Sequence, residues 1–156
     1  MKPRTKARSI ALQVLFEVDL TGHPPGIALE KRLISEDITG PTEEFSRSII
    51  LGVHPIRSVL DQFISKNAPE WPLDQVATID RNIIRIALWE FAIKGCSPVK
   101  VAINEAVELA KLFGSDSTPR FVNGVLGSLA NNQNQISKEF HEIIGEQNSD
   151  NKNINS

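Results

Sequence analysis

Two groups of side chains in this sequence could engage a polyanion. At the start, Lys2, Arg4, Lys6 and Arg8 alternate with Pro3, Thr5, Ala7 and Ser9. Arg4 and Arg8 stand four apart, so they share a face if a helix begins that early. Lysine and arginine placed there can bond phosphate oxygens and release counterions, which gives salt-sensitive affinity. The same residues also make an ordinary solvated helix start. Cations at a helix N-terminus oppose its dipole by roughly a few tenths of a kcal/mol. Something must offset them, and a bound polyanion is one candidate.

The second group is Ser115-Asp116-Ser117-Thr118-Pro119-Arg120-Phe121. Thr118 as N-cap with Pro119 at the first helical position is good helix-start chemistry. Arg120 and Phe121 then fall in the first turn. An arginine beside an aromatic ring and free backbone N–H groups can hold single-stranded RNA by charge, stacking and base-edge bonds. Phe121 reads equally well as a core residue.

Enzyme chemistry finds little support. No glycine-rich phosphate loop of Walker or Rossmann spacing is present. His23, His54 and His141 are far apart, and with Cys96 the only cysteine a transition-metal site is not expected. Cys96 has no evident base beside it. Glu105 and Glu108, three apart, read as a solvated helix face, with Glu108 free to pair with Lys111. Asn104 lies beside the apolar stripe and is expected to bond a neighbouring helix end. No catalytic residue, metal or cofactor is expected.

Helices must position these groups. Ile10, Ala11, Val14, Leu15 and Val18 recur at three- and four-residue steps. Gly22-His23-Pro24-Pro25-Gly26 ends that run. A short helix around Ile27 to Ile34 follows, then Gly40-Pro41-Thr42, with Thr42 able to cap the next helix. That helix runs from Phe45 to Ile64 and should kink or break near His54, because Pro55 removes a backbone bond. Pro72 suits the first turn of a short helix through Val76. Ile79, Ile83, Ile86, Ala87 and Phe91 mark a central helix ended by Gly95. Pro98 opens another, from Val101 to a stop at Gly114. No strand-type alternation persists. The reading is all-α, about seven helices, with residues 1–132 as one domain of two packed three-helix bundles, about 1–66 and 70–132. Residues 133–156 form a polar acidic tail, weakly helical around Ile136 to Ile144 and disordered from Gln147.

Bulk properties agree with a globular protein. Hydrophobic content is 40% and charged content 23%, and the net charge is -2. The charge is uneven, since the first acid is Glu17, after four basic residues. No apolar run approaches the roughly 18 residues that span a bilayer. With no signal-peptide pattern, the expected compartment is the cytoplasm.

Four strings in order resemble the NusB family of transcription antitermination factors. They are Arg8-Ser9-Ile10-Ala11-Leu12-Gln13-Val14-Leu15-Phe16, Ile50-Leu51-Gly52-Val53, and Ile79-Asp80-Arg81-Asn82-Ile83-Ile84-Arg85-Ile86-Ala87. The fourth, and with its extension the most specific, is Val101 to Gly114 followed by Phe121-Val122-Asn123-Gly124-Val125-Leu126. The resemblance implies a non-catalytic protein that binds boxA-type single-stranded RNA with a small-subunit ribosomal protein acting as Nus factor E. It further implies a place in the RNA polymerase antitermination complex that supports ribosomal RNA transcription. Carried over by position, the RNA surface falls on Arg4, Lys6, Arg8, Gln13, Ser117, Arg120 and Phe121. The ribosomal-protein surface falls on Phe16, Asp74 and Asp80. The resemblance also admits a homodimer, and no membrane is implied. The alternative is a helical interaction module of the same fold without RNA binding.

Overall fold

A computed structural model describes the backbone of residues 1–154 and the side chains of residues 1–147. Among the described residues the chain is all-α. Helix α1 spans Pro3–Thr21, α2 Pro25–Ser35, α3 Gly40–Val53 and α4 Arg57–Asn67. Then come α5 Thr78–Leu88, α6 Val99–Phe113, α7 Thr118–Ala130 and α8 Gln133–Ile154.

Proline and glycine set the boundaries. Pro3 opens α1 in its first turn, well before the apolar stripe that starts at Ile10. Gly22 closes it in the left-handed region (φ 74°), where its N–H reaches the Val18 carbonyl. Helix α3 starts at Gly40, with Pro41 in its first turn, so Thr39 holds the cap position and Thr42 lies inside the helix rather than capping it. At Pro55 the run breaks outright. His54–Ile56 forms a 3-10 turn, and α4 leaves in a new direction to pack on α5 and α7. Leu73–Gln75 is a single 3-10 turn rather than a short α-helix.

Two helices are central. Helix α1 packs on α2, α3, α5 and α6, and α5 packs on α1, α4, α6 and α7. Every residue of α5 from Asn82 to Leu88 is buried, and one apolar cluster runs continuously from Ile10 to Ile136. The buried Arg85 joins three helices. It meets Asp19 of α1 at 2.8 Å and Asp61 of α4 at 2.6 Å, and Asn82 also donates to Asp19.

Helix α5 continues into a π-turn, Trp89–Ile93, which ends at Gly95. The wider turn leaves carbonyls to be satisfied from elsewhere. Those of Glu90 and Phe91 accept from the Cys96 N–H and the Gln133 side chain, respectively. Helix α8 packs on this turn through Ile136, Phe140 and Ile143. It continues to Ile154 instead of stopping near Ile144, since each residue added to a formed helix gains a backbone bond. The last two residues of the tail expected to be disordered lie outside those described. No helix among the described residues is long and apolar enough to cross a membrane.

Candidate nucleic-acid interface

The first turn of α1 carries the basic residues in two directions. Lys2 and Arg4 are exposed. The Arg4 guanidinium lies 4.5 Å from the centre of the Phe45 ring, a cation–π contact that holds it against α3. Arg8, one turn later, passes the same ring at 5.2 Å but is only 3% exposed. Its Nε and Nη2 fork onto the Glu90 carboxylate at 2.9 and 2.7 Å. The Ser97 hydroxyl donates to that same carboxylate at 2.8 Å. Burial works against the Arg8 charge, but the bonds to Glu90 outweigh it and its proton is held more tightly than usual. Arg8, placed by resemblance on the RNA surface, thus faces the interior, and the ligand of its charge is Glu90.

Carboxylates also account for the offset that this cationic helix start requires. Glu105 of α6 accepts from Thr5 Oγ1 at 2.9 Å and lies 3.5 Å from Arg8. Lys6 pairs with Glu36 at the end of α2. Glu105 is therefore an inter-helix anchor, not part of a solvated face, while Glu108 pairs with Lys111 at 3.1 Å as its spacing suggests. Asn104 is exposed and makes no side-chain bond among the described residues.

The second group forms the α6–α7 corner. A Cβ on Gly114 would lie 2.5 Å from the Thr118 side chain, so this position needs glycine. Ser117 takes the N-cap position and Thr118 is the first helical residue, one place later than a capping role requires. Thr118 is buried and acts as a bridge. Its Oγ1 accepts the Ser115 N–H at 2.9 Å and donates to both oxygens of Asp80 at 3.2 Å. Burial raises the Asp80 pKa above the ordinary carboxylate value, and the Thr118 bond offsets part of that rise.

Ser117 and Arg120 are exposed, while Phe121 is half-buried and meets Trp71 edge-on at 6.4 Å. Trp71, Gln75, Asp80, Ser117, Arg120 and Phe121 line a cleft of about 600 Å³. Asp74, exposed, immediately precedes the lining residue Gln75. A second, more apolar cleft of about 560 Å³ lies between Gln13, Phe16, Leu20, Arg32, Ile79 and Phe113. Gln13 is committed at both ends, donating to the Ser9 carbonyl and accepting from Arg32.

These contacts fix how the two groups are related. Thr5 and Arg8 meet Glu105, and further along α1, Gln13 and Phe16 share a cleft with Phe113. Helices α1 and α6 therefore run side by side in the same direction. From Glu105 to Gly114 is about 14 Å of helix at the usual rise. The basic start and the corner thus stand at opposite ends of the paired α1 and α6, with Phe16 beside Phe113 near the corner end. Asp80 and Ile79, adjacent in α5, line one cleft each. Phe45, Trp71 and Glu90 belong to this arrangement, although the residues alone did not single them out. Among the described residues, no group of three His, Cys, Asp or Glu side chains could hold a metal ion.

Residues 5–131 match the NusB family. The chain belongs to that family. Transcription antitermination protein NusB of Chloroflexus aggregans is 48% identical over 128 residues, covering 81% of this chain and 85% of the relative. NusB of Bacillus pumilus is 40% identical over 135 residues, covering 86% of this chain and 99% of the relative. Among solved structures, T. maritima NusB is similar with a TM-score of 0.76 at 28% identity, covering 89% of this chain and 99% of that one. A further similar chain comes from a complex of antitermination factors NusB and NusE with double-stranded RNA. It has a TM-score of 0.75 at 24% identity, covers 83% of this chain and 96% of that one, and speaks to the fold. Membership in NusB places the chain among transcription antitermination proteins rather than enzymes.

Proposed function

We propose that this chain binds boxA-type single-stranded RNA together with a small-subunit ribosomal protein acting as Nus factor E. It thereby joins the RNA polymerase antitermination complex and supports ribosomal RNA transcription. This reading is supported by exposed cations at both ends of the parallel α1–α6 pair, Arg4 at the start of α1 and Arg120, beside Phe121, just past the end of α6. A structurally similar chain stands in a complex of NusB and NusE with double-stranded RNA, which supports a fold that contacts both RNA and NusE.

In this scheme Lys2, Arg4 and Arg120 neutralise phosphates, Lys6 stays beside them in its pair with Glu36, and Phe121 offers its ring face to a base. Ser117 adds a hydroxyl at the corner. Arg8 acts from beneath as a positioning residue, since its fork to Glu90 holds α1 against the π-turn. Gln13 orients Arg32 by the same logic. The partner surface is the apolar cleft around Phe16, with the carboxylate of Asp74 at the outer edge of the neighbouring cleft. Asp80 stands at the border of the two surfaces.

One observation favours the second reading, an interaction module without RNA affinity: the inward turn of Arg8 thins the exposed charge. A titration of labelled boxA-type RNA by fluorescence anisotropy, with and without the purified ribosomal protein, separates the two. The proposal expects RNA binding that the partner strengthens. Binding of the partner with no RNA affinity in either arm would replace it with the module.

A further inference from the structure

We infer that the cleft between Trp71, Asp80 and Phe121 receives one unpaired guanine base of the bound RNA. This rests on the RNA-binding reading above and adds a base preference to it.

Asp80 is the reason. An ionised carboxylate is purely an acceptor, with about four lone-pair sites on its two oxygens. Here a single hydroxyl, Thr118 Oγ1, is shared between both oxygens at 3.2 Å, and Asp80 makes no ion pair among the described residues. Arg81, next in sequence, is turned away to the carbonyls of Leu73 and Val76. A half-buried carboxylate with so few donors lines an open cleft. The ligand that suits it brings two adjacent N–H donors.

The rest of the cleft describes what carries those donors. Trp71 and Phe121 supply aromatic walls, meeting edge-on at 6.4 Å, and the indole lies beside Gly124. Arg120 and Ser117 stand exposed at the rim. Flat walls favour a flat ring, and bases splayed from single-stranded RNA are read by stacking and by their Watson–Crick edges. Guanine alone among the four presents two neighbouring donors on that edge, N1–H and the N2 amino group, matching the two carboxylate oxygens. Adenine and cytosine each set a ring acceptor beside their one amino group, and uracil flanks its single N–H with two carbonyls. An arginine from a protein would match the carboxylate too, but the Arg120 cation at the rim repels it and attracts a phosphate. Charge therefore favours the nucleotide.

The test uses oligouridylates of about 12 nucleotides, a length within single-strand site sizes. Each carries one central guanosine, inosine, adenosine or cytidine, titrated into the full chain and into Asp80→Asn. Guanosine is expected to bind roughly tenfold tighter than adenosine or cytidine. Inosine, which keeps N1–H but lacks the amino group, should fall between them. Asp80→Asn should erase the preference while leaving salt-dependent binding in place. The inosine comparison needs only the unaltered protein, so it stands even where the variant misfolds. Equal binding of all four RNAs would overturn the guanine pocket and leave the RNA reading intact. No binding of any RNA would overturn both. An Asp80→Asn variant with unchanged base preference and weakened binding of the ribosomal protein would give the cleft to a protein side chain, and that too would overturn the inference.

Discussion

Arg8 and Glu90, 82 positions apart in sequence, form a forked ion pair beneath the start of α1, with Nε and Nη2 of the arginine on one carboxylate. Both side chains are at most 3% exposed. An ion pair so enclosed is costly to halve, because the surviving charge stays buried without its partner. Arg8→Ala should therefore lower the unfolding free energy by about 3–5 kcal/mol. Arg8→Met combined with Glu90→Leu should recover most of that loss. Urea denaturation of the three proteins checks this, and an Arg8→Ala protein as stable as the original would return Arg8 to the surface.

Two helical glycines should respond to alanine with opposite signs. Replacing an interior helical glycine ordinarily stabilises by up to about 1 kcal/mol. Gly127 of α7 has open space around the added methyl, so Gly127→Ala should follow that rule. Gly52 of α3 faces the Trp89 indole, with no room for a methyl. Gly52→Ala should destabilise by about 1–3 kcal/mol through overpacking. Thermal melts of the two variants decide it, and a stabilised Gly52→Ala would mean that Trp89 moves freely.

His54 should make stability depend on pH. Burial, helped by the Arg57 guanidinium, holds its pKa below the ordinary 6.5. The unfolded chain then takes up the proton at a higher pH than the folded protein does, so protonation favours unfolding. The contribution of neutral His54 is complete above about 6.5 and is lost as the pH falls from there through the lower folded value. Measured by urea unfolding at a series of pH values, the original protein should lose more stability than His54→Gln across that window. Parallel curves would remove His54 as the cause.

The helices were legible because burial imposes a period on the sequence. The stripe through Ile10, Ala11, Val14, Leu15 and Val18 located α1, and Pro55 marked the break between α3 and α4. Family likeness located the corner. What periodicity could not supply was the partner of each charge. Arg8 looked like the last member of a basic arm because residue type says nothing of a glutamate 82 positions later. One signal was present: Arg8 stands three and seven residues before Ala11 and Leu15, on the buried stripe itself. Thr118 was placed one position early because its hydroxyl suits a cap. Its real partners, the Ser115 N–H and Asp80, come from a corner closed tightly by Gly114.

The central claim is that the start of α1 and the α6–α7 corner bind one RNA strand together. It is tested most directly by the salt dependence of RNA affinity in Arg4→Ala, Arg120→Ala and the double variant, all on the same boxA-type RNA. Each lost phosphate contact to a single strand lowers the magnitude of the log–log slope by about 0.7. The account predicts that each single change lowers it by about that amount and the double change by roughly twice as much. A slope left unchanged by either single change would contradict a face that spans both regions.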